Sequence, residues 1–340
     1  MGPEAYTRLD VAIGAMVRGE WPSFERSLTE GLACAARARD EDVTIEADAV
    51  EAAATAFRYE RDLISGDEMT AWLERAGLSL ADWTAYFVRV VLRNRFAGDL
   101  DATIDRYPPS ARQLHESARV EGLCSGRFDA FERALVHRAA LAVGDDPARE
   151  WEAASEVALE VSRLRRRHAH WFDDQDGDDL LERFARAVRI ERTAAAAAER
   201  LATGSALRAM LDMRQMEWTR LDMLMLTVAT RHAAREAILC VAVDGLSLDE
   251  VGRLARQTVE RTSAFLEDLP DDRRVALFTA DVGRAVGPLT SGALFQVAVV
   301  TGHTTPALDD DAVRARARSA VIHAAAERLA SEHVRGRAGA

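Results

Sequence analysis

Residues 217–334 constrain the fold most, because there a chain patterned as helix after helix is broken by two short strand-like runs. The first is Trp218–Val228. The second, Gly292–Val300, follows a Gly287-Pro288 pair that reads as a turn. Between them Ala233–Val243 and Leu248–Arg256 carry helical spacing, and a long helix, Ala312–Val334, closes the segment. The fold class implied is mainly α with a small α+β module.

At 340 residues the chain is long enough for two domains with cores of their own. Its 48% hydrophobic and 29% charged content is that of a folded protein rather than a disordered one. A net charge of −12 excludes nucleic acid as a partner, since no face has the basic excess to neutralise many phosphates. The densest basic run, Arg163 to Arg167, is followed by the acidic run 173–179 and reads as a solvated helix face. All 44 basic residues are arginine. Without lysine there is no Walker-type phosphate lysine, no kinase lysine and no Schiff base. Cys34, Cys124 and Cys240 form no CxxC pair, so a zinc ribbon or redox dithiol is not expected, and the odd count suits a reducing compartment. The first eighteen residues carry Glu4 and Asp10 and no apolar core, which is unlike a signal peptide, and no run of eighteen apolar residues occurs. A soluble, cytoplasmic protein with no membrane partner and no cofactor is expected.

Helices are expected over Ala5–Arg18, Pro22–Arg39, Ile45–Leu63, Ala111–Val143 and Pro147–Arg167, and over Leu180–Met216 as one long alanine-rich helix. Ser65 with Glu68, and Ser79 with Asp82, have capping-box spacing, and Gly77 is placed as a left-handed stop between the two helices. Leu78 can staple onto Trp83, and Trp72 and Trp83 lie on apolar helical stripes as core residues. The same turn chemistry recurs at Gly245–Val251. Asp99–Ser110, with Pro108-Pro109, reads as a break that can hinge, and His168–Asp179 as a polar turn. Before the last helix, three aspartates sit where a helix N-terminus favours them. That helix presents Val313, Ala317, Ala320, Val321, Ala324 and Leu329 as a seam that needs a partner. The expected organisation is a helical domain over 1–215, an α+β domain over 216–305, and a C-terminal helix over 306–340 that packs back on the helical domain.

The strand and helix order of 217–300 resembles a parvulin-type (PpiC) peptidyl-prolyl isomerase module. With the helical phrase Phe57–Phe96 and the closing helix, the layout resembles SurA-type chaperones. It is most similar to PpiC-related proteins found beside ribosomally made, post-translationally modified peptides. The resemblance covers roughly 57–100 and 215–334, and it rests on pattern and layout. It implies a groove for a prolyl peptide, with two facing histidines that ease rotation about an amide whose barrier is about 18–20 kcal/mol. In this chain the first histidine's phrase reads Asp222-Met223-Leu224-Met225, or one register off. The second histidine is replaced by Gln296, and Arg273 stands where a groove-lining phenylalanine is expected. Ordinary isomerase activity is therefore not expected.

The site implied lies between the two strand runs, lined by Asp222, Met225, Arg273, Phe278, Phe295 and Gln296, with His303 at its rim. Arg273 either grips an acidic group of a peptide or is a solvated helix residue. The methionines around 213–225 are either a soft peptide-binding surface or core filling. His168 and His170 would share a face on a strand and could then hold a metal; at a helix end the dipole alone explains them, and no metal site is assigned. Catalytic residues are not identified, the candidates being His168, His170, His303 and Asp222. The functional expectation is a peptide-maturation protein that binds a ribosomally made precursor. It assists or catalyses modification, for example a metal-free thioether cyclisation of the lanthipeptide type that uses a groove histidine or carboxylate as base. The alternatives are an isomerase-like foldase or holdase for unfolded clients, and a non-catalytic partner within a modification complex.

Overall fold

Helix-start signals hold the first part of the chain together. In the computed structural model, which describes residues 6–143, 154–172 and 177–338, five helices open on reciprocal capping boxes. Ser65 and Glu68 start α4 (Gly66–Ala76), Gly77 ends it at φ 62°, and Ser79 and Asp82 start α5 (Leu80–Arg95). Only a residue without a Cβ takes that left-handed stop at no steric cost. Leu78 and Trp83 lie in one buried cluster with Phe57, Phe87 and Met69. The order before these helices is α1 (Arg8–Val17), α2 (Trp21–Asp40) and α3 (Ala47–Glu60).

Several expected helices are divided. A short helix, α6 (Leu100–Arg106), fills much of the expected Asp99–Ser110 break, and Pro108-Pro109 follows it. Ala111–Val143 is two helices, α7 (Ala111–Cys124) and α8 (Arg127–Val143), parted at Ser125-Gly126 where Gly126 has φ 72°. After α9 (Ala154–Arg167), the expected Leu180–Met216 helix is also two: α10 (Gly177–Leu201) and α11 (Gly204–Arg214). Thr203 caps α11 through the Ala206 amide, an alternative backbone bond that ends α10 despite its alanines. Residues 144–153 and 173–176, with the expected helix start at Pro147 and much of the acidic run after Phe172, lie outside the described residues.

Contacts divide the chain into two units, 1–198 with 326–340, and 199–325. The first is helical. Its largest core gathers Ile13, Trp21, Phe24, Phe131, Leu135, Leu180 and Phe184.

The second unit holds a four-stranded antiparallel sheet in the order β2-β1-β4-β3. Its elements run β1 (Arg220–Val228), α12 (Arg231–Ala242), α13 (Leu248–Ala255), β2 (Val259–Phe265), α14 (Asp271–Phe278), β3 (Ala285–Ser291), β4 (Leu294–Thr304) and α15 (Asp311–Ala338). Two strands are additional to the sequence reading. β2 is an edge strand whose residues Glu260–Ser263 are all exposed, so it shows no alternation of buried and exposed positions. β3 contains Gly287-Pro288, whose composition predicts a turn. The pair sits at a register shift of the edge strand, where a missing N–H costs no ladder bond. Each face of the sheet is buried. Leu226, Val228, Val297 and Val299 pack with Ala234, Ala237, Leu248 and Val251 of α12 and α13. Leu221, Met223, Ala298 and Val300 pack with Leu266 and Leu277 on the opposite face.

The start of α15 belongs to this unit. Asp310 accepts from the Ala312 and Val313 amides and from Arg220, and Val313 and Ala317 are buried with Trp218 and Phe265. Of the expected seam, Ala324 is exposed. No helix among the described residues is long and apolar enough to cross a membrane.

Candidate functional site

The sheet face under α14 holds most of the residues singled out in the second unit. Thr227 of β1 lies opposite Gln296 of β4, and the Gln296 amide donates to its hydroxyl at 3.4 Å. Arg273 of α14 donates through Nη1 to Gln296 Oε1 at 2.9 Å and through Nη2 to the Thr290 carbonyl of β3. Met225 packs into the same apolar cluster as Phe278. His303 stacks on Phe278 with ring centroids 6.2 Å apart and planes 28° from parallel. Met225, Arg273, Phe278, Gln296 and His303 thus share one side of the sheet.

Asp222 and Phe295 do not join them. Phe295 packs on the α12–α13 side with Leu226 and Val297. Asp222 alternates with Leu221 and Met223 and so points to that same opposite side, across from Gly302 at a bulge. The ladder sets the register that the sequence leaves open: the β1 residues on Gln296's face are Met225 and Thr227, not Asp222. The solvated reading of Arg273 does not match the geometry, because the guanidinium ties α14 to β4 and β3. Its Nε is buried and has no partner.

A concavity of about 420 Å³ in this unit is lined by Trp218, Arg220, Phe265, residues 304–307 and 309–311, and Val313, and by none of the six predicted lining residues. Here Arg220 and Arg316 stack on the Phe265 ring at 4.6 and 4.1 Å, and each is paired with a carboxylate.

His168 and His170 do not form a ligand pair. His168 is only 2% exposed and neither ring nitrogen has a partner. Burial pushes its pKa below the ordinary value, and Glu25 opposes this in part. His170 is exposed, with Nε2 2.7 Å from a Glu25 carboxylate oxygen, and its carbonyl meets His115 Nε2 at 2.8 Å. A short 3-10 turn over Ala169–Trp171, not a strand, separates the two rings. The three cysteines are free thiols, Cys34 and Cys124 buried and Cys240 half-buried. Burial pushes the Cys124 thiol up to about 12 and raises Cys34, and desolvation with nearby Asp244 raises Cys240.

The sequence reading missed Thr227 and Thr290. Thr290 acts through its carbonyl, which carries no side-chain signal. The chain matches no protein-family model and no curated protein.

Proposed function

We propose that the protein binds a ribosomally made precursor peptide on the α14 side of its sheet and holds it during modification, without isomerising prolyl bonds. One observation carries the reading. At the positions where the parvulin resemblance expects an imidazole and an aromatic wall, Gln296 and Arg273 stand, and they bind each other at 2.9 Å. Two departures that satisfy one another leave a rigid polar bar where the resemblance expects a proton-exchanging network. The strand–helix–helix–strand–helix–strand–strand order is compatible with the parvulin-type layout.

A peptide on this face has Met225 and Phe278 as apolar contacts and the His303 imidazole beside them. A catalytic version of the same function uses His303 as the general base that deprotonates a peptide thiol. The test is binding of a proline-containing precursor peptide to the wild type, Phe278→Ala and His303→Ala. Weaker binding in Phe278→Ala supports the reading. Equal affinity in all three removes the peptide from this face.

A further inference from the structure

The two edges of the sheet differ. β3 is interrupted by Gly287-Pro288 and by the register shift between Val286 and Leu289, and its proline offers no N–H to a further strand. β2 carries no proline. Its seven residues pair with β1 in unbroken register, from the pair Arg220 and Phe265 to the pair Leu226 and Val259. Such an edge is one to which another strand can add.

Register and hydrogen bonding together say which groups face outwards. The Leu266 amide donates to the Thr219 carbonyl at 2.9 Å, one step beyond the pair Arg220 and Phe265. Bonded and non-bonded pairs alternate along an antiparallel ladder, so Ala264, Thr262 and Glu260 turn N–H and C=O towards β1. Arg261 and Ser263 turn both groups away from it. Among the described residues no backbone group bonds these outward ones, and residues 260–263 are all exposed. The side chains leave the edge open. Glu260 and Thr262 lie on the α14 side with Ala264. Arg261 lies on the other side with Val259, where it donates to Asp249 at 3.0 Å.

We propose that the β2 edge takes an extended peptide segment as a fifth, antiparallel strand of the sheet. Outward N–H and C=O groups on residues two apart recur every ~6.8 Å, and an extended backbone repeats its own at that interval. Exposed Glu260 favours arginine or lysine opposite it in the added strand. A second copy of the chain fits less well. The net charge of −12 sets copies against one another, and seven-residue edges alone fall short of the roughly 1,200 Å² that stable interfaces bury. The inference rests on the peptide-binding reading for its class of ligand but uses another part of the sheet, so the two can fail separately.

The probe is a blocked peptide of about seven residues, valine alternating with threonine and arginine, added to the full isotope-labelled chain. Amide exchange followed by NMR reads the edge residue by residue. In the free chain the Arg261 and Ser263 amides should exchange freely, and those of Glu260, Thr262 and Ala264 slowly. Peptide should slow the Arg261 and Ser263 amides by about tenfold or more. Ser263→Pro removes an outward N–H and no bond to β1, and should weaken binding about tenfold, whereas Ser263→Ala should leave it unchanged. If Ser263→Pro does not fold, the wild-type exchange pattern decides alone. Unchanged exchange at Arg261 and Ser263 overturns the proposal, as does full affinity in a folded Ser263→Pro. Protection of those amides that grows with chain concentration in the absence of peptide also overturns it, by giving the edge to a second copy. Edge protection that persists in Phe278→Ala upholds this site whatever becomes of the α14-side reading. Binding that needs Phe278 but leaves both edge amides fast upholds that reading and overturns this one.

Discussion

Arg273→Ala is the perturbation that most directly probes how α14 is seated on the sheet. The helix has only two turns, too few to be stable alone, so its place depends on side-chain anchors. Leu277 and Phe278 supply the apolar ones, and Arg274 reaches the Leu266 and Leu269 carbonyls. Arg273 supplies the two links to β4 and β3. A hydrogen bond from a charged donor contributes about 1.5–3 kcal/mol when buried. Arg273 is half-buried, and solvent screening brings the two bonds together to about 1.5 kcal/mol. Hydrogen exchange by mass spectrometry should therefore show residues 271–278 exchanging about tenfold faster in the variant, with β1 and α13 unchanged. Gln296→Ala should give a smaller increase. The double variant should fall short of the sum by about 0.5–1 kcal/mol, because the two groups share one bond. Unchanged exchange in 271–278, or strict additivity, refutes the coupling.

Gln296→His should not create prolyl isomerase activity, since the facing β1 positions are Met225 and Thr227; turnover of a proline test peptide by that single variant would contradict this. Deleting residues 312–334 strips Val313 and Ala317 from Trp218 and Phe265, and the truncated protein should aggregate or lose cooperative melting. Buried neutral His168 has a folded pKa below its ordinary 6.5, so the unfolded chain binds the proton more readily. Its contribution to stability is full above 6.5 and is lost as pH falls from there through the folded value. The wild type should lose melting temperature below about pH 6.5 faster than His168→Phe. Glu121→Ala leaves Arg89, 8% exposed, without its carboxylate at 3.2 Å, and should cost about 3–5 kcal/mol in denaturant unfolding.

Features set by neighbours three or four residues apart could be read from the chain. Ser65, Ser79 and Ser247 cap where their spacing says, because a capping box needs nothing beyond its own turn. Pairing and faces could not be read so directly. β2 is a polar edge strand, and its place depends on β1 lying beside it rather than on any pattern of its own. Gly287-Pro288 has the composition of a turn, yet the edge of the sheet accepts it within a strand. The phrase alignment places Asp222 in the groove, but strand alternation sets it on the face opposite Leu221, Met223 and Met225. Arg273 and Gln296 were each legible as departures from the parvulin pattern. Their bond to each other was not, because it joins residues 23 apart through the tertiary fold.

The central claim is that the α14 side of the sheet binds peptide without catalysing rotation about proline. Exchange NMR on a proline-containing precursor peptide with the full-length protein measures both halves at once. The account predicts peptide shifts that depend on Phe278, with cis–trans exchange as slow as for the free peptide. Accelerated exchange, or shifts that persist unchanged in Phe278→Ala, would contradict it.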